Sequence, residues 1–249
     1  MSENIVIQGC QSIHVHNGPE TYKTKKLADF NKDGILYWHM VNYNKDMGTR
    51  DQLLTMVAAT THWNKILKDH RLLLVQTSDI RKADIKVYAA VNGRDGNAVA
   101  TLLNGKKKKF KHGFNKGVLG WYHDKKILLN DAEYFTQKYQ KGSYHLETFY
   151  IHEWGHALGF SHTHVREDIM GDTYNEKATI TQDSVDGLAE MVENRYGASR
   201  KIHRPEKLGY DDGFNDFDIV FDIVFGFIFY IVFCASAFFV GFAIYKIFS

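Results

Sequence analysis

Cysteine is scarce in this chain. Its 249 residues hold two, Cys10 and Cys234, and the second lies in an apolar tract, so no disulfide framework can be read. That usage is more in keeping with a reducing compartment. Charge of one sign is also missing: 31 basic against 29 acidic residues leave a formal charge of +2, which gives no basis for binding a nucleic-acid backbone. The N-terminus, MSENIVIQGCQS, lacks a basic start followed by a long apolar core and a small-residue cleavage site, which argues against a cleaved secretory signal.

What is present divides the chain into four parts. The length suits one main domain with extra segments. Residues 1–34 are polar, carry Gly9, Gly18 and Pro19, and show no sustained period, as in an irregular arm. Residues 35–197 carry alternating strand and helix patterns. Residues 198–218 are polar, contain Pro205, and read as a linker. Composition then changes abruptly: no residue from Ile223 to Tyr245 is charged, a run longer than the roughly 20 apolar residues that cross a bilayer as a helix. We therefore expect a single membrane span within 219–248, with Asp222 at the interface and Lys246 as its snorkelling end. A span so close to the last residue points to tail anchoring with the domain in the cytosol, whereas the acidic flank before it and Lys246 after it point the other way. The side of the membrane, of a cell or of a virus, stays open.

Within the domain, ILYWHMV from Ile35 predicts a first strand. Thr49 with Gln52 reads as a capping box that opens a helix to about Leu67, with Leu53, Leu54, Val57, Ala58 and Thr61 as its buried stripe. LLLV at 72–75 and ADIKVYAA at 83–90 predict two more strands. In the latter, Ile85, Val87 and Ala89 alternate with Lys86 and Tyr88 as in a half-buried strand. The basic run Lys106–Lys109 with Lys111 reads as a solvated loop. KILLN from Lys126 predicts a last strand, followed by Asn130, Asp131 and Glu133 in capping or solvated roles. Further on, TITQDSVDGLAEMVENRYG has Thr181 as N-cap, Asp183 in the first turn and Gly197 as the stop of a closing helix.

The chemistry concentrates in HEWGHALGFSH, residues 152–162. On a helix, His152 and His156 lie four residues apart on one face, which lets two neutral imidazoles bind one divalent ion. Glu153 lies beside that ion without ligating it, placed to take a proton from a water there. Gly159 stands where the helix must stop, because a residue without Cβ adopts positive φ and turns the chain back. The turn delivers His162 as a third ligand. Three protein ligands leave a fourth position open, the mark of a catalytic rather than a structural zinc site.

HExxHxxGxxH resembles the metzincin metallopeptidases, and Met170, in EDIMG, falls where that group places its Met-turn. Within the metzincins the likeness is to the matrixins, over roughly residues 35–197. It is carried by the interval from His162 to Met170, by Tyr174, by the ADI before the third strand and by QDSVDGLAEMVENRYG. The resemblance implies an α/β (α+β mixed) catalytic domain with a twisted, mostly parallel sheet, a long active-site helix and a small C-terminal subdomain. It also implies one catalytic Zn2+ on His152, His156 and His162, Met170 beneath the metal, and Tyr174 lining the pocket for the substrate side chain after the cut. Val118, Leu119, Gly120 and Trp121 would form the edge strand that holds an extended peptide.

Two departures qualify the likeness. Asp172 replaces the usual proline two past the methionine, and Gly120 aligns where matrixins carry a ligand of a second zinc. We therefore expect neither a structural Zn2+ nor Ca2+, although His112 and His123 are nearby. Cys10, in QGCQS, lacks the neighbours of the matrixin latency cysteine but is a candidate latency ligand. The function implied is a membrane-anchored zinc endopeptidase acting on protein or peptide substrates. The alternatives are a catalytically inactive metzincin-fold module that displays a peptide-binding cleft on a membrane, and a metzincin outside the matrixins.

Overall fold

The computed structural model describes residues 26–138 and 140–197. Cys10, the arm up to residue 25, the linker and the apolar tract at 223–245 lie outside the described residues. Among the described residues no helix is long and apolar enough to cross a membrane.

The alternation in ILYWHM makes β1 (Ile35–Met40) a strand with Leu36, Trp38 and Met40 buried on one face. It pairs in parallel with β2 (Leu73–Gln76) on one side and with β3 (Ile85–Asn92) on the other. Helix α1 (Thr49–Leu67) makes the crossover between β1 and β2. β3 serves two sheets. Its first part pairs in parallel with β7 (Lys126–Asn130), whose other side takes β6 (Gly120–His123) antiparallel. Its last residues, Val91 and Asn92, pair antiparallel with β4 (Ala98–Thr101), which pairs with β5 (Lys107–Lys109). A short parallel pair, β8 (Phe135–Thr136) with β9 (Tyr144–His145), leads into α2 (Leu146–Leu158). The described chain closes with α3 (Gln182–Tyr196). The mixed α/β architecture with a mostly parallel sheet is the one the resemblance implied.

The main core lies between this sheet and the helices. Trp63 of α1 donates its indole N–H to the Ile151 carbonyl of α2 at 2.9 Å, and Trp38 of β1 meets Trp154 of α2 edge to face at 6.4 Å. Leu188, Met191 and Val192 of α3 join the same core. Thr181 caps α3 as expected, its side chain accepting from the Ser184 N–H.

Five expectations need correction. α1 starts at Thr49, but Gly48 is its cap and no side chain caps it. Gln52 is instead fully buried. Its Oε1 accepts from the Asn44 N–H at 2.7 Å, and its Nε2 donates to the carbonyls of Asn44 and Met47 at 2.7 and 2.8 Å. A buried amide must fill its donors and acceptors, and the loop before the helix supplies them. The buried stripe of α1 is Thr55, Met56, Ala59, Trp63 and Leu67, while Leu54 is 54% exposed. Apolar residues almost ring this helix, and the bulky Met56 and Trp63 decide which face turns inward.

Tyr88 is buried, because β4 and β5 fold over the outer face of β3 and build a second core in which Tyr88 meets the Phe110 ring at 5.1 Å. The lysine run is therefore strand β5, not a loop. Val118 and Leu119 precede β6 rather than belong to it, and their carbonyls accept from the Asn130 side-chain amide and the Asn130 backbone N–H, both at 2.8 Å.

Candidate metal centre

Ten of the thirteen residues of α2 are buried, so this helix runs through the interior and its one polar face must be internally satisfied. It ends at Gly159, with φ 119°, whose N–H reaches the Gly155 and His156 carbonyls. A Cβ at Gly159 would lie 2.8 Å from the Lys26 carbonyl oxygen. Both the positive φ and the close approach demand glycine. The reversed chain then brings His162 back to His152 and His156.

The three imidazoles converge through their Nε2 atoms, 3.0 Å between His152 and His156, 3.1 Å between His156 and His162, and 3.2 Å between His152 and His162. The opposite nitrogens explain the convergence. His152 Nδ1 donates to the Ile169 carbonyl at 2.7 Å, and His156 Nδ1 donates to the Phe160 carbonyl at 2.9 Å. A carbonyl only accepts, so both Nδ1 atoms carry the hydrogen and both Nε2 atoms present lone pairs. Burial lowers the pKa of His152 and keeps it neutral, opposed by its bond to Ile169 and the charge of Asp168.

Two lone pairs facing each other at 3.0 Å have no hydrogen to share and repel unless a cation lies between them. Nitrogens bound to one zinc at about 2.0–2.1 Å and near-tetrahedral angles lie roughly 3.1–3.4 Å apart, so the donor set and its spacing fit zinc. Among the described residues this is the one cluster of three or more histidine, cysteine or carboxylate side chains able to hold a metal ion.

Glu153 follows the first ligand and is fully buried. Neither of its carboxylate oxygens has a hydrogen-bond partner of good geometry. Burial pushes its pKa well above the ordinary carboxylate range, and the Tyr122 backbone on β6 opposes the rise.

Met170 is completely buried against α2, and a Cβ on Gly155 would lie 2.1 Å from its sulfur. The turn that carries it is clamped by Asp168, a residue to which the sequence reading gave no role. Asp168 Oδ1 accepts from the Met170 N–H at 2.6 Å, and its Oδ2 accepts from the Thr181 hydroxyl and from Ser184 Oγ, the latter at 3.0 Å. One buried carboxylate thus ties the floor of the site to the start of α3. The only local signal was an aspartate two residues before the N–H it binds, the pattern of an Asx turn.

Tyr174 lines a tight pocket beside His152, together with Thr148, Phe149, Ile169 and Ala178. Its hydroxyl accepts from the His145 N–H at 2.7 Å, and its ring meets Tyr144 edge to face. Asp172 uses what a proline lacks: its N–H donates to the Thr163 carbonyl at 3.0 Å, and its carboxylate accepts from His164 Nδ1 at 2.9 Å. The departure from the matrixin pattern is therefore filled by a local brace.

Gly120 has no room for a ligand side chain, since a Cβ there would lie 2.4 Å from the Phe149 ring. His112 and His123 stand edge to face with ring centres 6.3 Å apart. Asn130 and Asp131 hold loops: Asp131 accepts from the Asn44 side-chain amide and the Lys45 N–H.

A helix with two histidines four apart, a turn that returns a third, and a methionine beneath them on a mostly parallel α/β sheet define a zinc metallopeptidase. Comparison with known families agrees: the model of the matrixins, Peptidase_M10, matches residues 29–193. The chain belongs to the matrixin family. No curated protein matches it.

Proposed function

We propose that this chain is a membrane-anchored endopeptidase in which His152, His156 and His162 hold zinc and Glu153 is the general base. The observation that carries this reading is the meeting of three Nε2 atoms, those of His152 and His156 presenting lone pairs, beside a fully buried carboxylate whose oxygens are left without good partners. Zinc, when bound, supplies a Lewis acid that polarises a scissile carbonyl and acidifies water. Glu153 takes the proton of the attacking water and passes it to the leaving amine nitrogen. Burial has raised the proton affinity that such a shuttle needs.

β6 pairs only with β7 in the sheet, and the backbone of Gly120–His123 offers an edge along which an extended peptide adds as a strand. The side chain after the cut enters the pocket of Tyr174, and Met170 shapes the floor. The apolar tract at 223–245 anchors the domain to a membrane.

The test compares zinc content and peptide-library hydrolysis of the wild type and Glu153→Gln. Both bind about one zinc per chain, and the substitution lowers cleavage about 10²- to 10⁴-fold. Equal cleavage by the two would remove Glu153 from the reaction. Zinc without cleavage in the wild type would favour the peptide-binding module.

A further inference from the structure

The β4–β5 hairpin has a composition that neither its fold nor the zinc site requires. It turns through Leu102, Leu103, Asn104 and Gly105, closed by the Leu102 N–H to the Lys106 carbonyl and the Gly105 N–H to the Leu102 carbonyl, both at 2.8 Å. Asn104 and Gly105 suit such a turn, and Gly105 takes φ 76°. Leu103 has no such reason. It is 77% exposed, the most exposed of the large hydrophobic residues among those described.

Lysines follow it along the second strand. Lys106, Lys107, Lys109 and Lys111 are exposed. Among the described residues only Lys109 of these pairs with a carboxylate, that of Asp95. Lys108, on the opposite side of the strand, holds its ammonium 4.5 Å from the centre of the Tyr88 ring and donates to the Tyr88 hydroxyl at 2.7 Å. The strand register places Val99 opposite Lys109, Thr101 opposite Lys107, and Val91 opposite Val99. Cross-strand partners share a face, so the outer face of the hairpin is apolar and basic and carries no acidic side chain at these paired positions.

We propose that this hairpin docks on an anionic phospholipid surface, with Leu103 entering the interface and Lys106, Lys107 and Lys111 above it among the headgroups. Each lysine near an anionic leaflet strengthens binding about fivefold. A soluble polyanion would use the lysines but would leave Leu103 in water, and an apolar tip gains only where hydrocarbon is within reach. The choice of a lipid surface also rests on the reading, proposed above, that the uncharged tract at 223–245 anchors the chain to a membrane. It does not depend on the zinc chemistry.

The test is hydrogen exchange over residues 99–109 of the full chain with nanodiscs of phosphatidylcholine alone or with added phosphatidylserine. Phosphatidylserine slows exchange at the turn by about tenfold, and the slowing fades as salt rises. It is lost in Lys106→Gln/Lys107→Gln/Lys111→Gln and reduced in Leu103→Ser, with thermal unfolding unchanged in both. Equal exchange in the two lipids would overturn the proposal, as would slowing that survives the triple substitution. Slowing by heparin in the absence of lipid that is identical in Leu103→Ser and wild type, with none from phosphatidylserine discs, would assign the face to a soluble polyanion instead.

Discussion

Helices α1 and α2 pack against each other, yet they are built on opposite terms. α2 is buried nearly all round, and the imidazoles of His152 and His156 on it are each tied through one nitrogen to a backbone carbonyl while the other nitrogen is turned toward the remaining histidines. α1 buries one face, and that face includes Gln52, Thr55 and Thr60. The helix that carries the chemistry therefore tolerates almost nothing, whereas the helix that supports it tolerates much on its outer side and little at the one amide that ties down its entry loop. Chemical spacing is absolute in α2, and packing is negotiable in α1.

The sharpest way to break this contrast is inside α2. Gly155→Ala drives a methyl group into the Met170 sulfur and costs about 1–3 kcal/mol of stability, with a matching loss of zinc affinity as the floor shifts. Thermal unfolding with and without zinc checks both. An α1 substitution of comparable weight is Gln52→Ala, which leaves the backbone groups of Asn44 and Met47 without their buried partner and costs about 1–3 kcal/mol in denaturant unfolding. Its zinc content stays at the wild-type level, which separates support from chemistry.

A smaller effect concerns pH. In the metal-free protein, burial raises the Glu153 pKa, so folding takes up a proton there. The stability is fully present below the ordinary carboxylate range of about pH 4 and is lost as pH rises through the raised folded value. Glu153→Gln removes that decline, which unfolding of the chelated proteins across pH will show. At the bottom of the scale, Leu54→Gln on the exposed side of α1 changes stability by no more than about 0.5 kcal/mol, although the sequence pattern places Leu54 in the core.

That last residue shows where legibility ended. His152, His156, Gly159 and His162 were readable because a helix of fixed pitch and a glycine turn convert spacing into position with few other contacts. Thr181 was readable for the same reason, since a cap acts within one turn. Leu54, Tyr88 and Gln52 were misread because each depends on a partner far off in the chain or outside the helix. Met56 and Trp63 phase α1 against α2, the β4–β5 hairpin covers Tyr88, and the loop from Asn44 to Met47 captures Gln52. Asp168 went unnoticed because its value lies in joining Met170 to Ser184 and Thr181, and its connection to α3 leaves no mark in local pattern.

The sequence by itself determined the class of chemistry, the three candidate ligands, the general-base candidate, the first strands with their crossover helix, the last two helices, and the apolar tract near the end of the chain. These follow from short-range geometry and from composition. Only the tertiary structure decided which nitrogen of His152 and of His156 turns toward the other imidazoles, that Gly120 has no space for a side chain, that Asp172 braces the turn where a proline is usual, and that the lysines at 107–109 form an edge strand. Each of these is set by a backbone carbonyl, a ring or a strand brought in from elsewhere, and long-range packing of that kind is not encoded in the spacing of neighbours.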